Sequence, residues 1–146
     1  MTATFHDLSA ATPVSVFSSR VEAYARAHRF ERPTLILDVD HVAQQYQALR
    51  AGLCKAQIHY AVKANPAPEV LARLASLGSG FDAASRVEIQ MRLDAGAAPS
   101  HISFGNTVKK PSDIAFAHAI GVGLFAADAI EEIEKISGHA IKTLIV

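Results

Sequence analysis

The sequence lacks tryptophan, has a single cysteine, Cys54, and balances 14 basic with 14 acidic residues over 146 positions. One cysteine cannot make an internal disulfide, which excludes a disulfide-held fold. Without net positive charge or a run of lysines and arginines, we expect no nucleic-acid partner. No apolar stretch reaches the roughly 18 residues that a membrane span needs, and no basic patch precedes an apolar run at the N-terminus. We therefore expect a cytoplasmic protein with no membrane association.

Metal-binding patterns are missing as well. The 7 histidines are scattered, no two of them stand at ligand spacing on a predicted helix, and there is no cysteine cluster. We therefore expect no metal site. What the sequence does have is apolar content, because 50% of its residues are hydrophobic. That content and the length suit one compact domain and not two complete ones.

Short apolar runs alternate with helical patterns along the chain, which is typical of repeated βα units and a parallel sheet. The helices between the runs are bounded by Pro68, which suits a first helical turn, and by Gly52, Gly78 and Gly96, which suit helix ends. We predict six strands: Thr34 to Val39, Gln57 to Val62, Gly80 to Ala83, His101 to Phe104, Gly123 to Ala126 and Lys142 to Val146.

Residues 1–33 are predicted to form a separate helical segment. Thr12 can cap a helix that begins at Pro13. An apolar stripe follows, made of Val14, Phe17, Val21 and Tyr24. We interpret this helix as a packing element that flanks the main domain, residues 34–146.

The main domain is expected to be of the α/β class, as an incomplete (β/α)8 TIM-type barrel. Six strands are too few to close such a barrel, and the chain stops in the apolar run Leu144-Ile145-Val146. A terminus there leaves ladder groups unpaired, which suggests the first part of a longer protein. The alternative is a complete doubly wound sheet. That alternative lacks its phosphate turn, since Asp38-Val39-Asp40 stands where Gly-x-Gly-x-x-Gly is expected.

Lys63 is the first candidate for a functional residue. It follows the apolar run His59-Tyr60-Ala61-Val62, just before a predicted helix. Strand ends of this kind open into the active site of an α/β barrel, where a lysine can anchor a cofactor. The other interpretation is a solvated loop residue, because most lysines are simply exposed.

Two carboxylates follow, one at the end of the next predicted strand and one at the start of its helix. A buried Asp82 would need a partner, such as the Lys63 amine or a substrate ammonium group. Glu88 completes Ser85-Arg86-Val87-Glu88, a capping box that requires no catalysis. The first turn of a barrel helix also lies near the rim, so capping and catalysis both stay open for Glu88.

Three segments carry a resemblance to a known family. They are Tyr-Ala-Val-Lys-Ala-Asn at 60–65, Gly-Phe-Asp-Ala-Ala-Ser-x-x-Glu-Ile at 80–89 and Ile-Ser-Phe-Gly-Asn-Thr-x-Lys-Lys at 102–110. Together they resemble the pyridoxal-phosphate-dependent basic amino-acid decarboxylases, ornithine decarboxylase above all. The resemblance runs from near Pro33 to the last residue.

The resemblance implies pyridoxal 5'-phosphate as the cofactor, whose ring is the electron sink that decarboxylation requires. It implies that Lys63 holds the cofactor and is displaced by the substrate. It also places Asp82 and Glu88 in the catalytic pocket and Ala61 and Asp82 beside the cofactor. The loop residues Asn106, Thr107 and Lys109 either reach the cofactor ring or a partner subunit, or form a plain turn.

The resemblance further implies a homodimer with shared active sites and a small-molecule amino-acid substrate, ornithine or also lysine, with putrescine as the product from ornithine. The phosphate-binding loop and the partner-subunit cysteine would lie downstream, so we expect residues 1–146 alone to be inactive. Diaminopimelate decarboxylase is the alternative, although it typically has Ser-Gly-Gly-Glu where this chain has Ala84-Ser85-Arg86-Val87-Glu88. A non-catalytic homologue that acts as a regulator is an alternative of another class.

Overall fold

A computed structural model describes residues 19–139 and 144–145. The chain divides into two compact units, residues 1–38 and 39–146. In the first unit, helix α1 (Ser19–Ala27) buries none of its side chains, and the ring of Tyr24 stacks on that of His28 with centroids 3.9 Å apart. The predicted cap at Thr12 and Pro13 lies outside the described residues.

The predicted strand from Thr34 to Val39 is wrong. Residues 33–38 have no regular secondary structure, Leu35 is 85% exposed, and Val39 instead begins helix α2 (Val39–Gly52). A strand forms when a neighbouring strand satisfies its backbone groups. None of the described strands pairs with this segment, so its apolar residues stay outside the sheet.

The second unit alternates helices with parallel strands. The strands are β1 (His59–Ala61), β2 (Gly80–Ala83), β3 (Ile102–Phe104), β4 (Leu124–Phe125) and β5 (Leu144–Ile145). After α2, the helices are α3 (Pro68–Ser76), α4 (Arg86–Asp94), α5 (Pro111–Ala119) and α6 (Ile130–Ser137), with 3-10 turns at Val62–Ala64 and Pro99–His101. The bounds of β2 agree with the prediction, and β1, β3 and β4 lie inside longer predicted runs.

The order of the strands separates the two predicted architectures. The described strands lie in the sheet as β1-β2-β3-β4-β5, all parallel. A doubly wound sheet reverses its strand order at a switch point, and no reversal occurs among these strands. Each described strand lies directly beside the one before it, always on the same side. Right-handed crossovers between such strands place all the connecting helices on one face of the sheet. The sheet is therefore an arc of a (β/α)8 barrel, as predicted.

The face of the sheet toward the helices holds the core, and we call it the outer face. Burying one large apolar side chain is worth about 1.5–3 kcal/mol, so this face supplies most of the stability of the second unit. Five of its strand side chains are at most 2% exposed: Phe81, Ala83, Ile102, Phe104 and Phe125. The helices contribute side chains that are equally buried: Leu71, Leu74, Ile89, Ile114 and Ile136.

Successive residues of a strand point to opposite faces. The other face of the sheet, which we call the inner face, therefore carries His59 and Ala61 of β1, Asp82 of β2 and Ser103 of β3. The pairing register aligns Ala61 with Asp82 and Asp82 with Ser103. Polar side chains thus lie next to one another on this face and are separated by the strand backbones from the apolar core.

The helix ends explain how the strand ends become a rim. Pro68 occupies the first turn of α3, as predicted. Gly78 and Gly96 follow α3 and α4 with φ angles of 80° and 87°, a conformation that residues with a Cβ rarely adopt. These turns send the chain back to the next strand, so every carboxyl end of a strand reaches the same edge.

Candidate active site at the carboxyl ends of the strands

Lys63 lies on the 3-10 turn that directly follows β1. Val62 before it is fully buried, which anchors the turn, while the Lys63 side chain is exposed. Asn65 fixes the exit of the turn, because its carbonyl accepts a hydrogen bond from the Tyr60 hydroxyl at 3.2 Å and its Oδ1 accepts one from the backbone N–H of Ala67 at 3.0 Å. Lys63 makes no hydrogen bond or ion pair with any described residue.

Asp82 lies on the inner face of β2, one strand away from that turn. Its Oδ1 accepts a hydrogen bond from the Ser103 hydroxyl at 2.8 Å. A Cβ at Gly105 would collide with the Asp82 carboxylate, with 2.6 Å to its carboxyl carbon. Glycine at position 105 therefore leaves room for the Asp82 carboxylate at the carboxyl ends of the strands.

His59 and Ser103 extend this cluster, and the sequence did not single out either of them. The Nδ1 atom of His59 lies 3.3 Å from the Ser103 hydroxyl oxygen. The alternation of strand residues could have found them, since both share the face of Asp82. Scattered histidines are a weak signal without the strand register, which joins residues that are 44 positions apart in the chain.

Glu88 caps helix α4, as one of its two interpretations predicts. The Ser85 hydroxyl accepts a hydrogen bond from the backbone N–H of Glu88 at 3.2 Å, and Glu88 Oε2 accepts one from the backbone N–H of Ala84 at 2.8 Å. The reciprocal pattern satisfies free amides at the start of the helix. The same hydrogen bonds hold the Glu88 carboxylate at the loop that follows β2. The catalytic role of Glu88 stays a prediction.

Arg92 is a buried charge that the sequence did not reveal. Its side chain is fully buried, its guanidinium carbon lies 4.9 Å from the centroid of the Phe81 ring, and its three nitrogens have no hydrogen-bond partner among the described residues. Burial lowers the pKa of Arg92, and the negative charge of Glu88 and the Tyr60 hydroxyl oppose that shift. Burial also raises the pKa of Tyr60, against the charge of Arg92.

The loop after β3 holds Lys109 in the interior of the second unit. This lysine turns inward: its side chain is completely buried, its Nζ donates to the carbonyl of Ala126, and Glu132 Oε1 lies 3.6 Å from Nζ. Glu132 also accepts a hydrogen bond from the Lys109 backbone N–H at 3.0 Å. Burial lowers the pKa of Lys109, and the charge of Glu132 offsets part of that shift. Lys109 therefore ties this loop to α6, an arrangement that neither of its two interpretations described.

The rim offers the groups that a cofactor with an aldehyde and a charged ring requires. A primary amine such as that of Lys63 can bond covalently to an aldehyde, and Asp82 supplies a carboxylate on the neighbouring strand, paired with Ala61. Gly105 has no side chain and Ala61 has a small one, which leaves space next to Asp82 on the inner face. No group of three histidine, cysteine, aspartate or glutamate side chains within the described ranges could hold a metal ion. None of the helices in those ranges is long and apolar enough to cross a bilayer.

The fold and the rim together define a class: an α/β-barrel protein whose strand ends present a lysine amine and a carboxylate on neighbouring strands. Comparison with known proteins narrows the class. The family model "Pyridoxal-dependent decarboxylase, pyridoxal binding domain" matches residues 39–146. The chain therefore belongs to the pyridoxal-dependent decarboxylase family, and the predicted family, barrel fold and cofactor are confirmed.

Individual relatives agree with that family. The chloroplastic ornithine decarboxylase of Nicotiana glutinosa is 39% identical over 113 residues, which cover 77% of this chain and 26% of that protein. The diaminopimelate decarboxylase of Pseudomonas aeruginosa is 35% identical over 123 residues, covering 83% and 30%. The solved lysine/ornithine decarboxylase of Vibrio vulnificus, complexed with cadaverine, superposes with a TM-score of 0.78 at 30% identity, covering 90% of this chain and 36% of that one. The chain thus spans about a third or less of the length of these relatives.

Proposed function

We propose that this chain forms the cofactor-anchoring rim of a pyridoxal-phosphate-dependent decarboxylase that converts ornithine to putrescine. The observation that carries the proposal is the register that pairs Ala61 with Asp82. Neighbouring strands lie about 4.8 Å apart, so this register brings the turn with Lys63 and the Asp82 carboxylate to the same edge. An amine and a carboxylate at one strand edge suit a cofactor that carries an aldehyde and a cationic ring.

Lys63 is the proposed anchor. The amine attacks the cofactor aldehyde only in its unprotonated form. The buried Val62 and the Tyr60–Asn65 hydrogen bond hold its backbone. The turn therefore fixes where the covalent bond forms, while the flexible side chain lets the substrate amine take its place.

Asp82 and Glu88 are the proposed acidic groups of the pocket. When bound, pyridoxal phosphate supplies the ring that accepts the electrons left behind as carbon dioxide departs. Asp82 offers a positioned negative charge to an ammonium group or to the cofactor. Glu88, held by its capping bonds, is the second carboxylate on the same rim, and the small side chain of Ala61 leaves room for a flat ring on the inner face.

Ornithine is favoured as the substrate by the relatives whose names contain it. Lysine is a second substrate in the printed name of the Selenomonas ruminantium relative. Because one relative is a diaminopimelate decarboxylase, diaminopimelate is the competing proposal for the substrate. Ornithine and lysine differ by one methylene group in the side chain, and diaminopimelate carries an additional carboxylate at its far end, so a direct comparison of turnover separates them.

The same proposal includes a homodimer with active sites shared across the interface, and a cytoplasmic location. The homodimer rests on the resemblance of the three rim segments to the basic amino-acid decarboxylases, and the location is the expectation drawn from the charge and apolar pattern of the sequence. Sedimentation equilibrium of the intact protein tests the dimer, and a purely monomeric species would contradict it. Cell fractionation tests the location. One relative has another location by its printed name, "chloroplastic".

Release of carbon dioxide by the intact protein tests the activity. With added pyridoxal phosphate, we expect release from ornithine to exceed release from lysine and diaminopimelate. Lys63→Ala should abolish it, whereas Lys110→Ala, a change at an exposed lysine of the loop that follows β3, should retain it. If carbon dioxide were released from diaminopimelate alone, diaminopimelate would replace ornithine as the proposed substrate. If Lys63→Ala released carbon dioxide as the wild type does, Lys63 would not have its proposed role.

A further inference from the structure

We propose that His59 and Ser103 form a positioning chain for the Asp82 carboxylate. The chain runs from the His59 imidazole on β1 to the Ser103 hydroxyl on β3 and from there back to Asp82 on β2. The proposal rests on the proposed function, in which Asp82 faces the cofactor and the substrate ammonium group. Ser103 and His59 are positioning residues because they would act through Asp82 and not on the reacting atoms.

The first step of the argument is the path across the sheet. Strands β1 and β3 are not neighbours, since β2 lies between them, so their backbones are about 9.6 Å apart at about 4.8 Å per strand. The imidazole of His59 nonetheless lies 3.3 Å from the Ser103 hydroxyl oxygen. It crosses β2 at Gly80, where an added Cβ would lie 2.7 to 2.9 Å from three atoms of the ring. Glycine at this position is what lets the ring pass.

The second step is the direction of the hydrogen bonds. A serine hydroxyl has one proton, and a carboxylate only accepts. The Ser103 oxygen lies 2.8 Å from Asp82 Oδ1 but 3.3 Å from the Phe81 carbonyl oxygen and from His59 Nδ1. The shorter bond to the charged acceptor takes the proton, because charge-assisted hydrogen bonds are the stronger ones. The Ser103 oxygen is then an acceptor toward His59, which must donate from Nδ1–H.

The third step is what the chain does to Asp82. One side of the carboxylate is held by the Ser103 hydroxyl, and the Gly105 backbone leaves just the space that the carboxylate fills. The chain therefore limits the rotation of the carboxylate and holds it between Ser103 and Gly105 at the carboxyl ends of the strands. Holding a group in a reactive geometry is worth large factors in rate, and a displacement of about 1 Å can cost about 100-fold.

The tautomer of His59 tests the chain without any cofactor. Nitrogen-15 spectra of the protein, recorded at a pH where His59 is neutral, are expected to show the proton on Nδ1. Ser103→Ala removes the acceptor and should shift the signal toward Nε2–H, whereas Ser103→Thr keeps the oxygen and should retain Nδ1–H. Ser112→Ala, at an exposed serine of α5, is the matched control and should change nothing. A neutral His59 with its proton on Nε2 in the wild type would overturn the proposal.

Gly80→Ala breaks the chain without changing any of its polar groups. The added methyl occupies the space of the imidazole, so we expect loss of the Nδ1–H signature and a fall in kcat of about tenfold, with KM changed far less. Ser103→Ala should give the same split in the intact protein, and Ser103→Thr should recover most of the kcat. Full kcat in both Gly80→Ala and Ser103→Ala would overturn the positioning role even if the wild type decarboxylates ornithine. An inactive wild type that keeps the Nδ1–H signature would instead refute the proposed function and leave the hydrogen-bond chain standing.

Discussion

Two consecutive residues of β2 show how different the faces of the sheet are. Phe81 points to the outer face, is fully buried and lies under the guanidinium group of Arg92. Asp82 points to the inner face, is half-buried and is held by the Ser103 hydroxyl. The outer face is filled with apolar volume, and its residues stabilise the fold. The inner face carries a row of polar side chains next to two glycines. These side chains bury little apolar surface, and their hydrogen bonds fix the position of each polar group.

The largest expected effect on stability is that of Phe81→Ala. Removing a fully buried aromatic ring costs about 3–5 kcal/mol, and the charge of Arg92 also loses the ring beneath it. Asp82→Asn, one residue further, keeps the shape and an acceptor for Ser103 and should cost less than about 1 kcal/mol. Urea denaturation measures both. Equal losses in the two variants would contradict the division of roles between the faces.

Breaking the buried ion pair beside the outer face should have the next largest effect. Glu132→Gln leaves the buried charge of Lys109 without its partner, which we expect to cost about 3 kcal/mol. Glu131→Gln, at the exposed neighbouring glutamate, is the matched control and should change stability by less than about 0.5 kcal/mol. If the two variants unfold at the same urea concentration, the ion pair does not hold the loop to α6.

The pH dependence of the same pair has a defined sign. Burial alone would raise the pKa of Glu132, but the hydrogen bonds from Lys135 and the Lys109 backbone and the charges of both lysines lower it. The stabilising contribution is therefore fully present above the ordinary glutamate pKa of about 4.3 and is lost as the pH falls through the lowered folded value. The wild type should lose stability more steeply than Glu132→Gln in acid, until the two curves meet. Parallel curves over that range would exclude Glu132 as the titrating group.

On the inner face, the space at Gly105 can be tested by a double-mutant cycle. Gly105→Ala places a methyl group against the Asp82 carboxylate, and overpacking of this kind costs about 1–3 kcal/mol. In an Asp82→Ala background the methyl has room, so the cost should largely disappear. A cost that stays the same in both backgrounds would show that the carboxylate does not occupy this space.

The smallest expected effect concerns the cap of α4. Ser85→Ala removes the acceptor for the backbone N–H of Glu88 and should cost about 1 kcal/mol, whereas Ser85→Asp, which keeps an acceptor, should cost less. Thermal unfolding of the two variants makes the comparison. Equal stability of Ser85→Ala and the wild type would mean that Glu88 is held by its bond to Ala84 alone.

Sequence patterns predicted the elements whose cause is local. β2 was placed correctly because turn residues bound it on both sides, and the cap of α4 followed from Ser85 and Glu88 alone. The run from Thr34 to Val39 has the composition of a strand, yet no described strand pairs with it. Pairing is a property of the fold and not of the segment, so the sequence alone could not show it.

The candidate site divides in the same way. Lys63 and Asp82 could be singled out as candidates because each lies near the carboxyl end of a predicted strand within a recognisable segment. The burial of Arg92 and Lys109 could not, since most charged side chains are exposed and the partner of Lys109 lies 23 residues away in the chain. His59 and Ser103 required the register of three strands. Contacts between distant residues are where the structure adds most to the sequence.

The most direct test of the central claim is to locate the covalent bond to the cofactor. The intact protein is loaded with pyridoxal phosphate, treated with borohydride to make the bond permanent, digested and analysed by mass spectrometry. We expect the added mass on the peptide that contains Lys63, and none in Lys63→Ala, while Lys110→Ala labels like the wild type. Stoichiometric label on another lysine, with Lys63 unmodified, would contradict the account.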